Sequence, residues 1–115
     1  MRMKGYKGRC EKRVIGKYEG VCRIYDPIQS AYADILQQND QVVKFQCNLL
    51  MEGLTEGEYT SDFVCTKADE ELMVRECVQR KRLLKPMTVK LLDASRAYWN
   101  QHGVEDWGLV IDAEE

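Results

Sequence analysis

The sequence predicts an α/β domain: helices packed on a mixed sheet, in the order αβββαβ from residue 27 onward. Three observations carry that expectation. A helical stripe opened by proline precedes three runs of strand character. The second and third of these runs form a hairpin through a short polar connection. A second helical stripe then leads to a short, continuous apolar run, typical of a strand covered on both faces. A strand, helix and strand of that length favour a right-handed parallel crossover.

The first helix begins at Asp26-Pro27, because aspartate caps a helix N-terminus and proline suits the first helical position. Ile28, Ala31, Tyr32, Ile35 and Leu36 recur as one apolar face, and the helix ends near Asn39. From Val42 to Leu50, Val43, Phe45, Cys47 and Leu49 alternate with polar residues as in a strand. Gly53 and Gly57 loosen the connection that follows. Tyr59–Thr66 and Leu72–Val78 read as a β-hairpin joined by Lys67-Ala-Asp-Glu-Glu71. After Pro86 a second helix runs from about Met87 to His102, with Leu91, Leu92, Ser95, Tyr98 and Trp99 inward and Gly103 as its stop. His102, the sole histidine, suits the helix C-terminal dipole better than a nucleophilic role. Trp99 and Trp107, with Tyr32 and Tyr98, read as core packing rather than a base-stacking platform. The strand Trp107–Asp112 closes the order. Upstream, residues 12–25 suggest a small extra hairpin broken by Gly16 and Gly20.

At 115 residues the chain can bury an ordinary core as one domain, read here as a basic N-terminal extension over residues 1–25 and an α/β domain over 26–115. No apolar run approaches the ~18 residues of a membrane span. The basic start lacks the apolar stretch of a signal peptide, so the expectation is a cytoplasmic protein. Five cysteines without a CxxC pair argue against a zinc site or a disulfide framework. Cys47, Cys65 and Cys77 fall in strands, where free cysteine acts as a small buried hydrophobe.

The net charge of −2 conceals an asymmetry. Residues 1–23 carry eight cationic and two acidic side chains, hence +6, and the remainder carries −8. Arg80, Lys81, Arg82 and Lys85 form a second cationic cluster. Basic patches on an acidic body suggest local contact with a polyanion. The candidate DNA-contacting residues are therefore Lys4, Lys7, Arg9, Lys12, Arg13, Arg80, Lys81, Arg82 and Lys85. No glycine-rich loop precedes a helix, which leaves nucleotide binding unsupported.

The hairpin carries one acid on each strand. If Thr66 pairs with Leu72, Val64 faces Val74 and Asp62 faces Glu76. Opposed residues have Cβ atoms roughly 4.5–5.5 Å apart, and like charges there are destabilising. A divalent cation between them is one explanation. A solvated face, or a register slipped by one, is the other.

This element order, with an acid late in the second strand and another in the third, resembles the PD-(D/E)XK nuclease superfamily. Tyr59-Thr-Ser-Asp-Phe63 is similar to that family's Y-T-P-D-F strand. Ala97-Tyr-Trp99 and Asp106-Trp-Gly-Leu-Val110 are similar to the TnsA-like endonuclease subunit of heteromeric bacterial transposases. The resemblance spans residues 27–112 and implies a restriction-endonuclease-like fold. It implies Asp62 and Glu76 as catalytic acids holding Mg²⁺ or Mn²⁺, a metal that stabilises charge on the scissile phosphate and acidifies a water. DNA is the implied substrate, and a transposase or other protein subunit of a mobile-element transposition complex the implied partner. Gln29 falls where the family keeps a first-helix acid, and Val78 where it keeps a lysine. Lys81, just beyond the strand end, is the candidate for a relocated catalytic lysine, with Lys85 and Lys90 behind it. Beside the endonuclease stand two alternatives, a catalytically inactive DNA- or partner-binding module and a protein inhibitor of a nucleic-acid enzyme.

Overall fold

A computed structural model describes residues 1–17 and 21–112 of the chain. The elements are β1 (Arg2–Met3), β2 (Glu11–Arg13), β3 (Cys22–Ile24), α1 (Pro27–Gln38), β4 (Val42–Met51), β5 (Tyr59–Lys67), β6 (Leu72–Val78), a 3₁₀ turn (Arg80–Arg82), α2 (Pro86–Gln101) and β7 (Asp106–Ile111). From α1 onward the expected αβββαβ order holds. The sheet is mixed: β1, β4 and β6 each pair antiparallel with β5, and β7 pairs parallel with β6. No helix among the described residues is long and apolar enough to cross a membrane.

Strand alternation sends side chains to two cores. Phe63, Cys65, Met73 and Cys77 pack with Ala33 and Leu36 of α1. Val64 and Val74 pack with Trp99 of α2. The helices therefore cover opposite faces of the sheet. Asp26 caps α1 as expected, its Oδ1 accepting from the Gln29 N–H at 2.8 Å. His102 terminates α2, its ring stacked on Tyr98 with centroids 4.1 Å apart.

Two expected faces are corrected. On α1 the buried residues are Gln29, Ala33 and Leu36, while Ile35 is 57% exposed. The helix is rotated about its axis so that a polar side chain enters the interior. On β4 the register shifts between Val42 and Lys44, a bulge that turns Val43 outward.

A second irregularity bears directly on the acids. Phe45 and Cys47 of β4 belong to the α1 core, yet Leu49 and Met51 belong to the α2 core. On β5, Phe63 belongs to the α1 core and Tyr59 to the α2 core. Both strands thus change faces, β4 at Asn48 and β5 at its cross-strand neighbour Asp62. Asn48 makes the change possible by adopting φ 55°. That left-handed conformation is one a short polar side chain tolerates better than most.

The basic N-terminal segment lies against the α/β body. β2 and β3 form the small antiparallel hairpin, Glu11 opposite Ile24. Cys22 of that hairpin is joined to Cys47 of β4 by a disulfide, with Cα atoms 6.3 Å apart. The expectation that these cysteines form no disulfide is corrected at this pair. Cys47 faces inward as alternation requires, and the hairpin brings Cys22 over it, a proximity that residue spacing does not disclose. Arg13 reaches Ser30 and pairs with Asp34 of α1, and Lys17 Nζ donates to the carbonyls of Leu36 and Asn39 at the α1 C-terminus. Residues 18–20, including the expected break at Gly20, lie outside the described residues.

Candidate functional site

Thr66 pairs with Leu72, Val64 with Val74 and Phe63 with Arg75, the register expected from the hairpin connection. One step further, Asp62 faces Glu76, and there side chains replace the backbone ladder. The Asp62 N–H donates to Glu76 Oε1 at 2.7 Å. The Cys77 N–H donates to Asp62 Oδ2 at 2.8 Å. Each carboxylate thus bonds the opposite strand's backbone where β5 and β6 part. Neither acid lies on a solvated face: Asp62 is 1% and Glu76 0% exposed.

The two carboxylates draw their remaining donors from different sides. Asp62 Oδ1 accepts from Gln29 Nε2 of α1 at 2.7 Å and from Arg2 at 3.2 Å, and its Oδ2 accepts from the Met1 ammonium at 2.7 Å. Glu76 Oε2 accepts from Ser61 Oγ at 2.9 Å and from Ser95 Oγ of α2 at 2.5 Å. Both serine hydroxyls are directed by tryptophans, since Trp99 Nε1 donates to Ser61 Oγ and Trp107 Nε1 donates to Ser95 Oγ. Indole nitrogen can only donate, so each serine accepts from its tryptophan and turns its own hydrogen to Glu76. Burial pushes the Glu76 carboxyl up to about 7, and the neighbouring Asp62 adds to the effect against the Met1 ammonium, Ser95 and the Asp62 N–H. Burial works against the charged Met1 ammonium, but Asp62 and Glu76 outweigh it and raise its pKa.

Gln29 stands beside Asp62, in a role the sequence leaves open. Its Oε1 accepts from the Tyr25 N–H at 2.8 Å, and its Nε2 donates to both Asp62 and Asn48 Oδ1. It positions the aspartate and offers no oxygen to a cation. Val78, at the family's lysine position, is buried and lines a cavity with Leu91 and Leu92. Lys81 sits exposed on the 3₁₀ turn and is not among the described groups that bond either acid.

A resident divalent cation does not fit this arrangement. Asp62 accepts four donors, two on each oxygen, and Glu76 accepts three. A carboxylate offers about four lone-pair sites, so only Glu76 Oε1 keeps one to spare. Among the described residues no three His, Cys, Asp or Glu side chains converge as a metal group.

Of the candidate DNA contacts, Lys4, Lys7, Arg9, Lys12, Arg80, Lys81, Arg82 and Lys85 are exposed, whereas Arg13 is tied to α1. The sequence reading missed Arg2. Its guanidinium bridges Asp62 and, at 2.5 Å, Asp26, and lies over the rings of Tyr6 and Tyr25 at 5.7 and 5.0 Å. A two-residue strand leaves no periodic signal by which to find it. Ser95 did leave one, as a polar residue within the apolar stripe of α2. No family model and no curated protein matches the chain.

Proposed function

We propose that the chain is a DNA-processing protein built on a nuclease-like plan, acting in this arrangement as a DNA-binding module. One observation carries the reading: Asp62 and Glu76 are buried together where β5 and β6 part, with Gln29 of α1 on Asp62. Those are the positions at which the PD-(D/E)XK resemblance calls for acidic or amide side chains. Two carboxylates buried within reach of each other oppose folding unless they are held by donors and cations. A purely structural hairpin would be served better by apolar residues here.

The binding module is favoured over the active endonuclease by the packing of Val78 and by the internal donors that saturate Asp62. The endonuclease subunit of a transposition complex is the second reading, supported by the same pair of acids. Cleavage by it would require Mg²⁺ or Mn²⁺ and would disappear in Asp62→Ala and Glu76→Ala. The test is duplex binding at low salt together with plasmid nicking in the presence of Mn²⁺. Binding without nicking is the expected result. Nicking that Asp62→Ala abolishes moves the assignment to the endonuclease. No binding at any salt concentration overturns both and leaves the inhibitor reading, in which the acidic body meets a basic partner.

A further inference from the structure

We propose that strand β1 is a displaceable strap whose Arg2 holds the acidic centre closed, and that a divalent cation competes with it for Asp62. The inference rests on the nuclease-like reading of Asp62 and Glu76. β4 pairs with β5 along one edge, through Tyr59, Thr60 and Ser61. β6 leaves the other edge beyond Phe63. β1 takes up that vacated edge, Arg2 opposite Thr60 and Met3 opposite Tyr59. The strap therefore lies in the gap between the two acid-bearing strands.

Its hold there is slight. Beyond the Arg2–Thr60 and Met3–Tyr59 pairing, the backbone is fixed by Thr60 Oγ1 donating to the Arg2 carbonyl at 3.1 Å and the Lys4 N–H donating to the Glu58 carbonyl at 2.8 Å. Met3 is 59% and Tyr6 50% exposed, so little apolar burial anchors the segment. Gly5, at φ 75°, turns the chain after it and provides a hinge.

The strap also divides a larger space. Arg2, Met3 and Tyr6 line both a cavity of about 340 Å³ bounded by Arg23, Asn48 and Thr60 and one of about 570 Å³ bounded by Val78, Arg82 and Leu91. Lifting residues 2–6 joins the two into a single trough beside Asp62. It also removes the guanidinium from Asp62 and Asp26 together. Buried and half-buried carboxylates left without a counter-charge are costly, so strap release and cation entry favour each other.

The test is Mn²⁺ binding followed by the electron paramagnetic resonance of the free ion at low salt. Arg2→Met keeps the side-chain stem against Tyr6 and Tyr25 but removes the charge, and it is expected to bind Mn²⁺ roughly tenfold more tightly than the wild type. Thr60→Val removes one tether without touching either acid and should shift affinity the same way by a smaller factor. Both gains should vanish when Asp62→Asn is added. In the wild type, saturating Mn²⁺ should speed amide hydrogen exchange at residues 2–4 and leave β6 unchanged. Mn²⁺ binding that depends on Asp62 but is equal in the wild type, Arg2→Met and Thr60→Val removes the strap and leaves the nuclease-like centre standing. No Mn²⁺ binding by any of them overturns both. If Arg2→Met fails to fold, Thr60→Val and the exchange measurement decide alone.

Discussion

Glu76 shows how a buried acid is shaped by its neighbours. Three donors, from Ser61, Ser95 and the Asp62 backbone, stabilise its charge, while full burial and Asp62 oppose it and lift its pKa from 4.5 to about 7. The sign of the stability effect follows. Between those values the folded protein keeps a proton that the unfolded chain has released, so raising the pH favours unfolding. The contribution is fully present below about pH 4.5 and is lost as the pH passes about 7. Its size is of the order of 3 kcal/mol. Urea midpoints measured from pH 4 to 8 should therefore fall for the wild type relative to Glu76→Gln. Parallel profiles for the two proteins would show that Glu76 does not titrate in this range. Asp62, by contrast, has the Arg2 guanidinium and the Met1 ammonium on its oxygens. Two acids one step apart across the hairpin thus receive different environments, one apolar and hydroxyl-lined, the other cationic.

At the scale of elements, the β2–β3 hairpin is held to the body by few but strong links. The Cys22–Cys47 disulfide closes a loop of sequence separation 25, and Asn48 Nδ2, adjacent to Cys47, donates to the Arg23 carbonyl at 2.9 Å. The same Asn48 accepts from Gln29, so the hairpin is wired to the amide that positions Asp62. A disulfide closing a loop of this size contributes roughly 2–4 kcal/mol. Reduction with a dithiol, or Cys47→Ser, should lower the thermal midpoint by the corresponding several degrees. Hydrogen exchange should rise first in residues 11–13 and 22–24, with β5 and β6 still protected. An unchanged midpoint on reduction would show that packing, not the covalent link, secures the hairpin. The face change at Asn48 and Asp62 is also an event of this scale, because it requires both strands to turn together. One left-handed asparagine does on β4 what glycine does elsewhere.

Across the whole molecule, charge is unevenly placed. The acids of the centre are buried and internally paired, while Lys4, Lys7, Arg9, Lys81, Arg82 and Lys85 face solvent. Under the DNA-binding proposal, affinity for duplex should fall linearly on a log scale with salt, by about 0.9 for each phosphate neutralised. Replacing Lys81, Arg82 and Lys85 with alanine should weaken binding and flatten that slope by roughly 2–3 units. A slope that does not change would assign the cluster to a solvated turn.

The sequence by itself determined the order of elements from α1 to β7, the Asp26 cap, the parallel return of β7 and the cross-strand facing of Asp62 and Glu76. Each of these follows from local periodicity, from capping chemistry or from the length of a connection, and all are encoded within a few residues of one another. Only the tertiary structure decided which face of α1 turns inward, since the rotation that buries Gln29 rather than Ile35 answers to Asp62, 33 residues away. It alone placed Arg2 on Asp62, joined Cys22 to Cys47 and directed two serines onto Glu76. Those contacts bring together side chains distant in the chain, and their energies depend on burial and hydrogen-bond geometry that exist only once the sheet has formed.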